Sequence, residues 1–389
     1  MGQTLSSITK ATAHPKESPL LQPAIEGNLP LIKKLLGEHI ATYDYDLNQN
    51  PSQLQQYVNA VNAEGNTALI GASFAGHLSI CQFLIEDCGA NLEIQNGIGC
   101  NALWIASGYG HVQILEYFIT VVMDSSRSVE KTEEECLDLL FTANSSGDTP
   151  FLAAASKGHV NICKSLLKGV IAKCRTSNGI FQAYRMLCAE NKAGDTALAI
   201  AVGNGYEGPL LDFLLDSEET YWKQLMEEGT MSSSTSNSDV LPLRPLHAKS
   251  SKGLTPLTVA CERSHTSIVK ELIRRGAEPT PDSNGRSPLA VASFCGLMEI
   301  VEFLLNDGDG LKMGRELLNV LDTNGCTPLW LAARTGNGKM VKVLLDAGAD
   351  PSIKNKDDLS PEEAAVQFKK QSVIDAFEDF RRIEILEEN

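Results

Sequence analysis

TALIGA at Thr67, NALWIA at Asn101, TPFLAA at Thr149, TALAIA at Thr196, TPLTVA at Thr255, SPLAVA at Ser287 and TPLWLA at Thr327 are one six-residue string written seven times, and SPEEAA at Ser360 is a degenerate eighth copy. The agreement extends outward in both directions. A glycine stands two residues before seven of the starts (Gly65, Gly99, Gly147, Gly194, Gly253, Gly285, Gly325), and Asp358 takes its place in the last. Three residues earlier comes a turn former: Asn62, Asn96, Asn144, Asn191, Ser250, Asp282, Asp322 or Asn355. Nine residues after each start stands Gly76, Gly110, Gly158, Gly205, Ser264, Gly296 or Gly336, followed in four copies by His77, His111, His159 or His265. Eight residues further on lies an apolar pair: Leu84-Ile85, Phe118-Ile119, Leu166-Leu167, Phe213-Leu214, Leu272-Ile273, Leu304-Leu305 or Leu344-Leu345.

Each position has a physical reason. Thr, Ser or Asn at the start caps a helix by accepting one of its orphan backbone N–H groups. Pro or Ala follows, suited to a first turn where a missing N–H costs nothing. Glycine supplies positive φ at the turns. The constant alanine, from Ala72 through Ala106, Ala154, Ala201, Ala260, Ala292 and Ala332 to Ala365, lets neighbouring helices approach closely, and the apolar pair buries a second helix. One such unit of roughly 33 residues cannot bury enough surface by itself, so stability has to come from stacking.

The register resembles the ankyrin repeat: a β-turn finger, a helix opened by a TPLH-like string, a Gly-His turn, a second helix, then the Gly-Ala step seen at Gly89-Ala90, Gly276-Ala277 and Gly348-Ala349. The resemblance covers about residues 17–385 and implies an all-α solenoid of about nine repeats including degenerate caps. Residues 20–38 keep Ala24, Gly27 and Leu35-Leu36 but lack TPLH, as an N-terminal cap would. Residues 1–16 read as a flexible arm, 17–356 as the array, and 357–389 as a charged C-terminal capping repeat. The family's TPLH histidine is replaced by Ile70, Trp104, Leu152, Ala199, Thr258, Ala290 and Trp330, so apolar packing is expected where a histidine network would be.

Start-to-start spacings of 34, 48, 47, 59, 32, 40 and 33 residues place insertions near 39–58, 120–143, 168–190, 216–250 and 308–319. Most read as extra amphipathic helices: Pro51–Val61, Glu133–Phe141, Gly179–Ala189 and Gly314–Leu321. SEETYWKQLMEEG at 217–229 reads as a further helix with an imperfect capping box at Ser217, followed by a flexible loop at 231–240.

Composition narrows the function. A formal charge of −16 argues against a nucleic-acid binder, which needs cations to displace phosphate counterions. Ten scattered cysteines contain no CxxC pair, and no stretch has secretory or membrane-spanning character, so reduced thiols, no metal and a cytoplasmic location are expected. The Gly-His histidines are expected to bond backbone between repeats. No constellation of nucleophile, base or metal ligand is present, and no cofactor is expected; the chain reads as a non-enzyme.

The resemblance implies that finger tips and the ends of the first helices face a binding groove. By register these are Glu64, Asn66, Phe74, Ala75, Ile98, Cys100, Tyr109, Asp148, Lys157, Lys192, Asp195 and Asn204, then Lys252, Glu262, Arg263, Arg286, Phe294, Asn324, Arg334 and Thr335. The site expectation is Phe74, Tyr109, Lys157, Lys252, Arg263, Arg286, Phe294 and Arg334, with the later cations receiving an acidic protein segment. Met1-Gly2-Gln3-Thr4-Leu5-Ser6 matches an N-myristoylation pattern at Gly2, which would give weak, reversible membrane contact. The function that follows is a monomeric protein-binding scaffold or adaptor. The alternatives are a substrate-recruiting subunit of a larger enzyme, such as a ubiquitin ligase or phosphatase, and an assembly factor for one client.

Overall fold

The computed structural model describes residues 18–43, 51–123, 133–173, 179–227, 243–306 and 314–387, and among them every regular element is helical. Gly2, the N-terminal arm and the 231–240 loop lie outside the described residues.

The inner helices begin where the string begins. Ala68–Ala75, Ala102–Tyr109, Pro150–Ser156, Ala197–Gly203, Pro256–Glu262, Pro288–Cys295, Pro328–Thr335 and Pro361–Gln367 each follow the expected cap residue. All eight cap side chains accept the N–H three residues on, at 2.8–3.3 Å. The eight constant alanines are all 0% exposed, so the close approach that their size permits is used at every joint.

The fingers repeat with equal fidelity. In six of the eight fingers the turn former's side-chain oxygen accepts two N–H groups of its own turn, as Asn96 does from Ile98 and Cys100, and Asp322 from Asn324 and Cys326, while Ser250 accepts one from Leu254. The glycine that closes the turn has φ of 70–81° in the seven copies that keep it. Successive fingers are then stitched by one backbone bond each. Gly97 donates to Glu64, Ser145 to Ile98 and Lys192 to Ser146; further along, Ser251 donates to Ala193, Ser283 to Lys252, Thr323 to Asn284 and Lys356 to Asn324.

The Gly-His turn shows why glycine is needed for a reason besides φ. The histidine ring of one repeat lies over the glycine of the repeat before it. A Cβ on Gly76 would sit 2.7 Å from the His111 ring, and one on Gly205 2.7 Å from His265. The ring nitrogen donates back across the joint, from His77 to the Ile25 carbonyl at 3.1 Å and from His111 to the Phe74 carbonyl at 3.0 Å. Among the described residues three non-glycine residues have positive φ: Ser264, Asp358 and Lys369. Each stands where the register calls for glycine in the other copies.

The chain divides into two compact units: Met1–Lys192 with Ser217–Asp239, and Ala193–Asp216 with Val240–Asn389. In the first, the inner helices pack in sequence from Leu21–Ile25 through Ala68–Ala75 and Ala102–Tyr109 to Pro150–Ser156. In the second they pack from Ala197–Gly203 through Pro256–Glu262, Pro288–Cys295 and Pro328–Thr335 to Pro361–Gln367.

Four expectations are corrected. The separate helix at Ser217 does not exist: Pro209–Glu227 is one helix, and Ser217, 8% exposed, is in its interior rather than at a cap. The apolar pair of the Thr196 copy is Leu214-Leu215, at 2% and 1% exposed, with Phe213 half-buried. The longer turn through Gly208, itself at φ 67°, slips that helix by one residue. Apolar packing only partly replaces the TPLH histidine. The Trp104 indole N–H donates to the Asp148 carbonyl at 2.7 Å and that of Trp330 to the Leu359 carbonyl at 3.1 Å, while Thr258 closes a capping box with Thr255. The inserted helices end earlier than expected, Pro51–Val58 and Gly179–Cys188, and among the described residues the third is helical over 314–317; Glu133–Phe141 is as expected.

Candidate functional site

The register assigns three kinds of position to the groove: finger tips, residues immediately before a cap residue, and inner-helix ends; the structure separates them. Residues immediately before a cap residue point at a neighbouring finger. Asn66 is fully buried and accepts from the Asn96 side chain at 3.0 Å, Cys100 is fully buried, and Asp148 accepts from the Asn191 side chain at 3.0 Å. Arg286 occupies the same register position. Its guanidinium is 2.7 Å from the Asp282 carboxylate and 3.2 Å from that of Glu262, with a second bond through Nε to Asp282 at 2.9 Å. The expectation that Arg286 is a cation offered to a partner is therefore corrected: two carboxylates of its own unit already hold it.

Residues at the end of each inner helix, seven or eight after the start, are outward. In unit one, Phe74 and Tyr109 are half-buried and meet edge to face with ring centroids 4.8 Å apart. Successive repeats thus present one joined aromatic surface, the arrangement that ring quadrupoles favour. Lys157, at the end of Pro150–Ser156, is exposed. Close by, burial holds the His159 imidazole below its ordinary pKa, with the Lys157 and His111 charges acting in the same direction and the Gly108 backbone bond opposing them.

In unit two the equivalent positions carry Arg263, exposed; Phe294, 40% exposed; and Arg334, exposed. Arg334 lies between rings, with its guanidinium carbon 5.9 Å from both the Trp330 and the Phe368 ring centroids. Lys252 is exposed at a finger tip, and so is Lys356 three fingers later. An open depression of about 510 Å³ adjoins Phe294, bordered by Cys295, Thr335, Asn337, Lys339 and Ser372. Phe368 and Lys356 were missed in the sequence because the last copy was read as a cap. The signal was available, since Phe368 is eight residues after Ser360, the position of Thr335 in the preceding copy.

The face has the chemistry of recognition. Guanidinium groups and ammoniums beside exposed rings can hold carboxylates and apolar side chains together. Among the described residues no group of three or more His, Cys, Asp or Glu is placed to hold a metal ion. Burial pushes the thiols of Cys81, Cys100, Cys163 and Cys326 up to about 12, which keeps them protonated and unreactive. Among the described residues no helix is long and apolar enough to cross a membrane.

Comparison with known proteins agrees with the register. A family model of ankyrin repeats in tandem matches residues 10–126, 88–178 and 222–316, and a single-repeat ankyrin model matches 324–356. The chain is 25% identical over 366 residues to the ankyrin repeat and KH domain-containing protein mask-1 of Caenorhabditis elegans, covering 88% of this chain and 12% of that protein. It is 28% identical over 202 residues to ankyrin repeat domain-containing protein 63 of Mus musculus, covering 51% of this chain and 42% of that protein. It is 30% identical over 136 residues to the tyrosine-protein kinase HTK16 of Hydra vulgaris, covering 35% of this chain and 17% of that protein. The chain spans less than half the length of each of these relatives.

Proposed function

Because the chain belongs to the ankyrin-repeat family, we propose that it is a non-catalytic scaffold or adaptor whose unit-two face binds an acidic segment of a protein partner. The observation that carries the reading is local. In a chain of formal charge −16, the exposed ends of three successive inner helices in unit two offer Arg263, Phe294 and Arg334, with exposed Lys252 on the finger of the first of these copies and Lys356 on that of the copy that follows the third. Exposed cations of this kind accelerate encounter and set specificity, while the rings supply the apolar anchor. The Phe74–Tyr109 surface of unit one provides a second, uncharged contact region.

The protein acts as a monomer in the cytoplasm under this reading, and Gly2, where myristoylated, adds only a weak and reversible tether. The test is affinity purification from cells followed by cross-linking. A stoichiometric protein partner cross-linked through an acidic segment to Lys252 or Lys356 supports the proposal. A partner whose recovery is indifferent to charge reversal at Arg263 and Arg334 overturns it. Dependence of recovery on Gly2→Ala reports separately on the tether.

A further inference from the structure

In unit two every inner helix but the last is covered by the next. The residue six after the start is fully buried in the first four copies of that unit: Val202, Cys261, Ser293 and Ala333 are each 0% exposed. Each lies on a helix packed against the following inner helix. The same position in the last copy is Val366, which is 57% exposed. Beside it is an open groove of about 640 Å³ lined by Asp357, Leu359, Glu362, Glu363, Val366 and Gln367. The finger ladder is open here too. Asn324 accepts the Lys356 N–H at 2.9 Å, and among the described residues no N–H is bonded to the corresponding carbonyl, that of Asp357.

Three carboxylates, Asp357, Glu362 and Glu363, line the groove, and no Lys or Arg does. Glu362 is met by Arg381 at 2.8 and 3.0 Å, Asp358 by Lys354 at 3.2 Å, and Glu363 caps the Ser360 N–H at 2.8 Å. With Asp357 added, four carboxylates stand around the groove against three cations, Lys354, Lys356 and Arg381, none of which lines it. An apolar floor shaped by the register for an inner helix, under an acidic rim, fits one kind of occupant. We propose that the Ser360-repeat end of unit two docks a basic amphipathic helix of a partner protein, its apolar stripe on Val366 and Leu359 and its cations toward Asp357 and Glu363. A second copy of this end is disfavoured, since it would set two acidic rims against each other. The groove lining shares no residue with the Arg263–Phe294–Arg334 face, and the proposal goes beyond the function proposed for that face.

The experiment uses the full chain and three fluorescent helical peptides of equal length: leucine–lysine, leucine–glutamate and leucine–glutamine. The leucine–lysine peptide is expected to bind with the highest affinity. Val366→Asp is expected to weaken it by about tenfold or more, although the substitution makes the surface more acidic. Val61→Asp, at a valine 41% exposed in unit one, adds the same charge elsewhere and is expected to leave binding unchanged. Both variants replace exposed side chains, and a circular dichroism melt verifies that each folds. Stronger or unchanged binding in Val366→Asp would mean general charge attraction and overturn the proposal, as would equal binding of all three peptides. A dimer in sedimentation that Val366→Asp dissociates would assign the end to a second copy and overturn it as well.

Discussion

The outward ends of the inner helices differ between the two units although the backbone beneath them does not. Unit one presents Phe74, Tyr109 and Lys157; unit two presents Arg263, Phe294, Arg334 and Phe368. Beneath both, the cap hydrogen bond, the constant buried alanine and the finger-to-finger bond recur with nearly the same geometry. Positions that make the repeat have almost no freedom, because the next repeat occupies the space around them. Positions that face outward are released from that constraint. A partner's chemistry can be written there without altering the stack.

The contrast can be broken most forcefully at a position that makes the repeat. Trp330 is 4% exposed and its indole N–H reaches the Leu359 carbonyl, so Trp330→Ala should cost about 3–5 kcal/mol in denaturant unfolding. Trp330→Phe should cost less, because most of the packing survives and only the bond across the joint is lost. An Arg334→Ala loss as large as that of Trp330→Ala would erase the distinction. Next in size is Ala332→Leu, expected to cost about 1–3 kcal/mol by overpacking a site with no accessible surface.

The degenerate turns sharpen the comparison from the other side. Ser264 at φ 63° and Lys369 at φ 55° hold a conformation the register assigns to glycine. Ser264→Gly and Lys369→Gly should each stabilise the protein by about 0.5–1 kcal/mol, the relief of left-handed strain slightly exceeding the added freedom of the unfolded chain. A thermal melt that falls in both variants would show that these turns are set by side-chain contacts instead.

The smallest expected effect is a pH dependence confined to unit one. The His159 pKa is lowered in the folded protein, so the unfolded chain binds the proton more readily. Its contribution is therefore fully present above the ordinary value of 6.5 and is lost as the pH falls below it. Replacing His159 with Gln should flatten that limb of the stability profile, and an unchanged profile would remove His159 from the account.

The sequence made the repeat legible because its determinants are local: a cap residue and the N–H it receives lie three residues apart, and a turn former reaches its own turn. What stayed hidden depends on neighbours far along the chain. Arg286 looks like Arg263 in sequence, yet its register position aims it at Glu262, 24 residues earlier. Trp104 and Trp330 read as packing, and only the joint between repeats reveals the carbonyl each indole N–H meets, 44 and 29 residues away. The one-residue slip at Leu214-Leu215 arises in a turn lengthened through Gly208, where the string gives no count of the extra residue. Phe368 was concealed by treating a degenerate copy as though its outward positions carried no information.

The central claim is that unit two's outward cations bind without holding the fold. Partner affinity and melting temperature measured together on the triple variant Lys252→Glu, Arg263→Glu, Arg334→Glu test it most directly. The account predicts affinity reduced by about tenfold or more, with unfolding free energy changed by only about 1 kcal/mol, the scale of the lost Arg334–ring contacts. Unchanged affinity, or a loss of binding that follows unfolding of the variant, would contradict it.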